Sequence, residues 1–159
     1  MTSAVFRLVV DFGLLVLIWM VQLIIYPSFL HYTQENLFVW HQKYTVLMGY
    51  IVAPLMAVQL GIHVYHVFYF KTPLSIVGLV LVIALWLITL LQFVPIHSSI
   101  SNGSTDEILL KSLVNKNWSR TILWSLLLLT GLWSFVKGTK VRNRNGYKKG
   151  RLQEVPTIN

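Results

Sequence analysis

Four long apolar stretches, separated by short polar segments, dominate this chain. They run over about residues 4–26, 45–70, 73–94 and 118–136. Each approaches the roughly 20 apolar residues that a helix needs to cross the hydrocarbon core of a bilayer. The sequence therefore predicts an all-α fold, a bundle of four transmembrane helices. Only "KTP" separates the second and third stretches, which predicts an antiparallel hairpin.

The two longer connections carry helical signals of their own. Thr33 occupies an N-cap position before "QENLFVWHQKY", and "STDE" places Ser104 three residues before Glu107, the spacing of a capping box. Apolar residues then recur at helical spacing in both segments. We therefore expect short interfacial or extended helical segments on the outer side of the membrane, which these connections share.

Composition supports a membrane protein. Hydrophobic residues make up 55% of the 159 residues and charged residues 11%, with a mean hydropathy of +0.65, whereas soluble domains carry about 25% charged residues. The net charge is +8, and seven of the 13 lysines and arginines lie between Lys137 and Arg151. Such a cluster beside an apolar helix indicates a cytoplasmic topology signal and attraction to anionic lipid, rather than nucleic-acid binding.

This pattern divides the chain into two parts. Residues 1–137 form the transmembrane domain, and residues 138–159 form a basic cytoplasmic tail with too few apolar residues to pack, which we expect to be disordered. With four spans, both termini lie on the same side of the membrane, and the basic tail predicts that this side is the cytoplasm. The expected membrane is the bacterial inner membrane. Membrane lipid is an expected partner, and a homo-oligomer or a membrane-protein partner stays open. The chain has no cysteine, which excludes disulfides and thiolate chemistry.

Every span carries one polar seam, and polar side chains in lipid should face the bundle interior. Interhelical hydrogen bonds, each contributing about 0.6–2 kcal/mol, would account for many of these residues. We expect Asp11 to pair with Arg7. His63 and His66 are expected to form a structural, hydrogen-bonded pair, because no other span offers a histidine at that depth to complete a haem or metal site.

A richer polar group lies at the outer ends of the spans. Helix-end capping and snorkelling would account for it, and two functional alternatives compete with that interpretation. One is a metal held by His31, His41, His97 and Glu35, so both the metal and any cofactor remain undecided. The other is a metal-free pocket. In the pocket the candidate catalytic residues are His97 and Arg120, and the candidate ligand-binding residues are Asn117, His41, Gln22, Tyr26 and Gln92.

The segments "VPIHSSISNG" and "LVNKNWSRTILW" resemble a pattern found in small four-helix bacterial membrane proteins of unknown function. These are similar to the broader family that contains the fungal anthrone oxygenases. In that family the third helix ends in a Pro-x-Asn or Pro-x-His turn, and the fourth opens with Asn, then Arg and Thr. Pro95, His97, Asn117, Arg120 and Thr121 match those places. The resemblance implies a four-helix bundle and flat polycyclic phenols as substrates.

The sequence thus predicts an outward-facing polar pocket for a small hydrophobic or phenolic ligand. Oxygenase or other redox chemistry is an open extension, and whether the protein is an enzyme is undecided. The alternative is a non-catalytic membrane subunit that packs against a partner. Geometry separates the two: a ligand site requires His97 and Arg120 to converge, whereas a packing role lets them point apart.

Overall fold

The computed structural model of the protein describes residues 2–153, and the side chains of residues 2–139. Four helices account for nearly all of this part: α1 at Thr2–His31, α2 at Gln34–Phe70, α3 at Pro73–Ser101 and α4 at Glu107–Gln153. Each is long and apolar enough to cross a membrane. The predicted all-α, four-span fold is confirmed.

The helices form a closed ring in which each one packs against two neighbours. α1 contacts α2 and α4, and α3 likewise contacts α2 and α4. Leu14, Met56, Leu85 and Leu127, one from each helix, are almost completely buried in the core. Large apolar side chains cover the outer faces of the ring, as expected where the surrounding solvent is lipid.

The bundle has two different ends, the loop end and the hairpin end. The loop end holds the connections of residues 32–33 and 102–106, and the hairpin end holds the start of α1 and the connection of residues 71–72. Four spans of alternating direction require this arrangement. The sequence-based topology would make the loop end the outer one.

Local hydrogen bonds explain where α2 and α3 begin. The predicted N-cap of α2 is confirmed, because the Thr33 hydroxyl accepts from the Asn36 amide at 3.4 Å. α3 begins with a capping box: the Ser75 amide donates to the Thr72 hydroxyl at 3.2 Å, and the Thr72 amide donates to the Ser75 hydroxyl at 3.1 Å. These bonds satisfy amides that a helix start leaves without partners.

The start of α4 differs from the sequence-based expectation. Asp106, not Ser104, supplies the cap, because its carboxylate accepts from the Leu109 amide at 2.8 Å. The predicted capping box of Ser104 and Glu107 is therefore wrong. A carboxylate directly before the first helical residue, Glu107, is a stronger acceptor than a hydroxyl two residues further away.

Two wide, π-helical turns interrupt the helices, at Val21–Ile25 in α1 and Thr89–Phe93 in α3. In each turn the amide of the next residue donates to a carbonyl five residues earlier. A proline follows that residue in both helices, at Pro27 and Pro95. A proline ring clashes with the carbonyl four residues before it in a regular α-helix. The wider turns move that carbonyl aside, so both helices continue past their prolines.

The last helix is longer than its apolar stretch. The fourth span was predicted to end near Val136, whereas the backbone of α4 remains helical to Gln153. The predicted tail of residues 138–159 falls largely on this extension. Its side chains from residue 140 onward, and its last residues, 154–159, lie outside the described part.

Candidate ligand pocket near the loop end

A cavity of about 380 Å³ lies inside the bundle, in the half nearer the loop end. All four helices contribute to its walls, and most of the lining is apolar, with Ile18, Met48, Val52 and Trp86 among the contributors. Four side chains give the cavity its strongest polar and ionisable groups. They are Tyr26, Tyr44, His97 and Arg120.

Arg120 is the charged group of this cavity. Its side chain is buried, and its guanidinium carbon lies 4.4 Å from the centre of the Phe93 ring and 5.3 Å from that of Trp124. Aromatic faces stabilise a cation at such distances. Among the described residues, Arg120 Nε has no hydrogen-bond partner, and no carboxylate lies within salt-bridge distance. Aromatic rings therefore hold the positive charge in place, and no acidic side chain in the described part of the chain neutralises it.

A continuous chain of hydrogen bonds starts at the cavity and ends at the loop end. Tyr26 Oη lies 2.8 Å from His97 Nε2, and His97 Nδ1 lies 2.9 Å from His41 Nε2. His41 Nδ1 in turn lies 3.0 Å from Ser101 Oγ. His41 is fully buried, and Phe29 packs edge-on against its ring at 5.6 Å between centroids. Every nitrogen of the two imidazoles therefore has a partner.

Two proton arrangements satisfy this chain with both histidines neutral. In the first, Tyr26 donates to His97, His97 donates to His41, and His41 donates to Ser101. In the second all three donations are reversed, and the Tyr26 hydroxyl proton is free to point into the cavity. Conversion of the first arrangement into the second moves one proton along each bond, adds one to Tyr26 from the cavity and releases one from Ser101. Such a chain can carry a proton between the cavity and the half-buried Ser101 hydroxyl.

The cavity opens through the side of the bundle. Four of its lining residues are exposed: Gly49 and Ala53 on α2, and Leu90 and Val94 on α3. These positions lie on α2 and α3, within the apolar stretches 45–70 and 73–94 and toward their loop-end limits. The predicted pocket faced outward along the bundle, whereas this opening faces the region that lipid would occupy. Gly49 and Ala53 have no side chain large enough to cover the cavity on this side.

The structure divides the predicted site residues into groups. His97, Arg120 and Tyr26 line the cavity, as the prediction of a shared pocket required, and His41 lies one hydrogen bond behind them. Gln92 is half-buried and does not line the cavity.

Gln22 and Asn117 do not line the cavity either, because they bond to each other. Asn117 Nδ2 donates to Gln22 Oε1 at 2.9 Å, Thr121 donates to the same oxygen at 3.4 Å, and Gln22 Nε2 donates to the Val114 carbonyl at 3.2 Å. These bonds tie α1 to α4. Gln22 and Asn117 therefore join helices in this structure, and their ligand-binding role stays a prediction.

The alternative metal site is not assembled. His31 and Glu35 are exposed, and the nitrogens of His41 and His97 are engaged in the hydrogen-bond chain. Among the described residues, no three histidine, aspartate or glutamate side chains come close enough together to hold a metal ion.

A separate polar network lies deeper, toward the hairpin end. The predicted pair is confirmed, with Arg7 Nε 3.4 Å from Asp11 Oδ2. Asp11 Oδ1 also accepts from Gln59 Nε2 at 2.8 Å and lies 3.4 Å from His63 Nε2. His63 and His66 were expected to bond to each other, but His63 bonds to Asp11 instead, and His66 Nε2 has no partner among the described residues.

The site residues predicted from the sequence did not include three contributors: Tyr44, Ser101 and Phe93. Tyr44 follows His41 by three residues and Ser101 follows His97 by four, so helical spacing alone could have linked each to a histidine already chosen. Phe93 lies in a π-helical turn, where ordinary helical spacing does not apply.

No family model, curated protein or solved structure matches this chain.

Proposed function

We propose that this protein is an integral membrane protein that binds a small, lipid-soluble ligand carrying an acidic group, of which a phenol is the simplest type. Arg120 is the observation that carries the proposal. A buried guanidinium that has no acidic partner among the side chains of residues 2–139, in a largely apolar cavity, suits a ligand that is apolar over most of its surface and anionic at one atom.

The hydrogen-bond chain supplies a route for the ligand's proton. A bound phenol gives its proton to Tyr26 Oη, Tyr26 passes its own proton to His97, His97 passes one to His41, and His41 passes one to Ser101, which releases one to water. The ligand becomes a phenolate beside Arg120, and each member of the chain ends with as many protons as it began with. The polarity of the chain is reversed, and return of the proton resets it.

The oxygenase activity implied by the resemblance to the anthrone oxygenases belongs to this proposal. Formation of a phenolate is the step that these residues would contribute, because an electron-rich phenolate is oxidised more readily than a neutral phenol. In a bacterial inner membrane with the loop end outside, the released proton would leave on the outer side. A ligand dissolved in the bilayer would enter between α2 and α3.

The alternative, a non-catalytic subunit, rests on polar seams that only join helices. Gln22, Asn117 and Thr121 fit that description. His97 and Arg120 fit it less well, because both line one cavity, which favours a ligand over a packing role.

The test is a comparison of 2-naphthol with its methyl ether, using the full-length protein in lipid nanodiscs and fluorescence titration. The phenol should bind, and the ether should bind at least about tenfold more weakly, because it has no acidic proton and cannot pair with a cation. Arg120→Met should abolish this preference. Arg120→Lys keeps the charge but loses the planar contact with Phe93. It should weaken binding of 2-naphthol while the melting temperature changes little.

Lys116→Met is the matched control, because Lys116 is an exposed cation one turn earlier on the same helix. It should leave the preference for the phenol unchanged. If the ether binds as well as the phenol, or if Arg120→Met folds and retains the preference, the proposal fails.

A further inference from the structure

A second cavity, of about 510 Å³, lies at the hairpin end of the bundle. The start of α1, the end of α2, the start of α3 and the middle of α4 all contribute to it. It shares no lining residue with the first cavity. Its ionisable lining residues are Arg7, His66 and Lys137, and no described acidic side chain lines it.

Arg7 presents an unused donor at this cavity. Its side chain is only 4% exposed, and Nη2 has no hydrogen-bond partner among the described residues. The bond to Asp11 uses Nε and therefore leaves the far end of the guanidinium free to bind another acceptor. The backbone of Gly131 packs closely against the same end of the guanidinium. A Cβ added at Gly131 would lie only 2.9 Å from Arg7 Nη2.

His66 presents a second unused polar atom. The residue is 5% exposed, and its Nε2 has no partner among the described residues. In the tautomer or charge state with a proton on Nε2, the imidazole donates to an acceptor in the cavity. Buried polar atoms ordinarily have a partner, so two orphaned atoms lining one cavity point to a missing acceptor.

The local charge balance favours an anion. Asp11 is the carboxylate that neutralises this region, and it already accepts from Gln59 and Arg7 and lies against His63. Lys137 adds a further positive charge to the cavity wall. A tetrahedral phosphate has enough oxygens to accept from Arg7, His66 and Lys137 together, and arginine is well suited to phosphate.

The rest of the wall is apolar and suits lipid. Ala4, Phe70, Leu74 and Phe135 line the same cavity, and the hairpin end lies where the spans leave the hydrocarbon core. We infer that this cavity binds a phosphate group, with the headgroup of an anionic phospholipid as the favoured source and free phosphate as the other source.

The experiment uses delipidated full-length protein in a non-ionic detergent. Dihexanoyl phosphatidic acid is titrated into the protein in a calorimeter. Dihexanoylglycerol, which has the same chains and no phosphate, is titrated in a parallel experiment. The phosphatidic acid should bind with a stoichiometry of one, and the glyceride should bind at least about tenfold more weakly. Inorganic phosphate is then added as a competitor: displacement identifies a site that accepts the free anion, and no displacement identifies a lipid site.

Two variants locate the binding. Lys137→Gln should weaken phosphatidic acid binding several-fold, whereas Lys71→Gln, which removes an exposed cation at the same end but outside the cavity, should not change it. The double variant Arg7→Met with Asp11→Asn removes the ion pair together, so that no unpaired charge is left buried. It should abolish binding and still bind 2-naphthol.

Three results would overturn the inference. They are equal binding of the glyceride, binding unchanged in the double variant, or no binding of phosphatidic acid together with no binding of inorganic phosphate. Because 2-naphthol binding is measured on the same samples, failure here is distinguishable from failure at the first cavity.

Discussion

Two buried arginines of this protein differ in what surrounds them. Arg7 pairs with Asp11 one turn later on the same helix, and that spacing made the pair predictable from the sequence alone. Arg120 lies on the faces of Phe93 and Trp124. The sequence indicated that Arg120 would be costly in lipid and would turn inward, but not that it would meet aromatic rings, because the position of Phe93 depends on a π-helical turn.

Substitution of Gln22 distinguishes a structural role of this residue from a ligand-binding role. Gln22→Leu should lower the free energy of unfolding by about 1–2 kcal/mol, because Asn117 and Thr121 lose their shared acceptor inside the bundle. Binding of 2-naphthol should change less than about twofold. Denaturant titration in mixed micelles measures the first quantity and fluorescence titration the second.

Gln92→Leu is the control for this change, because Gln92 is half-buried and makes no side-chain hydrogen bond among the described residues. It should leave stability nearly unchanged. A Gln22→Leu protein of normal stability that no longer binds 2-naphthol would return Gln22 to the ligand-binding group.

At the scale of the helices, regular periodicity failed at the π-helical turns. Thr89 and Gln92 would share a face of an ordinary α-helix, and a polar seam that faces the bundle interior would include both. In the wider turn Thr89 and Phe93 line the cavity, and Gln92 does not. The prolines that follow both wide turns were visible in the sequence, but a proline also accompanies kinks and helix ends. The sequence therefore does not distinguish a π-helical turn from a kink or a helix end at these prolines.

The contact between α2 and α3 depends on a glycine. A Cβ added at Gly78 would lie 2.8 Å from His63 Nδ1 and 3.0 Å from Cε1. The His63 ring is fully buried beside Asp11, so it cannot move aside freely. Gly78→Ala should therefore lower the free energy of unfolding by about 1–3 kcal/mol, measured by denaturant titration.

Gly13→Ala provides the contrast, because a Cβ there meets nothing within 4 Å. It should stabilise the helix by about 0.5–1 kcal/mol through the better helix propensity of alanine. Equal effects of the two substitutions would contradict the close approach of His63 and Gly78.

The side opening of the first cavity predicts a second glycine effect. Gly49 lines the opening on α2 with open space around its Cα, so Gly49→Leu should place a side chain across the entrance without a clash. The association rate of 2-naphthol should fall at least about fivefold while the melting temperature stays within a few degrees. Stopped-flow fluorescence in nanodiscs measures the rate.

Gly61→Leu is the matched control on the same helix, exposed and with the same open surroundings but away from the cavity. It should leave the association rate unchanged. If Gly49→Leu binds at the normal rate, the ligand enters elsewhere, and the loop end becomes the candidate entrance.

At the scale of the whole molecule, the fold followed from the sequence, and the site followed only in part. Long apolar stretches determine the number of spans, because a continuous apolar segment in lipid satisfies its own backbone polar groups by forming a helix. The convergence of His97 and Arg120 depends on the packing order of the four helices, which composition does not encode. The sequence predicted that His41 lies at the same end of the bundle as His97. The bond between them also depends on how closely α2 and α3 approach each other at that end, which the sequence did not indicate.

The topology gives the last prediction. Seven basic residues follow Val136, whereas the segments near the loop end carry only Lys43, Lys111, Lys116 and Arg120, so the hairpin end should face the cytoplasm. The chain has no cysteine, and single cysteines are therefore unambiguous reporters. Ser104→Cys at the loop end and Lys71→Cys at the hairpin end both replace exposed residues. In intact cells an impermeant maleimide should label the first and not the second, and after lysis it should label both. Labelling of Lys71→Cys alone in intact cells would invert the topology, and protons from the Tyr26–His97–His41–Ser101 chain would then be released into the cytoplasm.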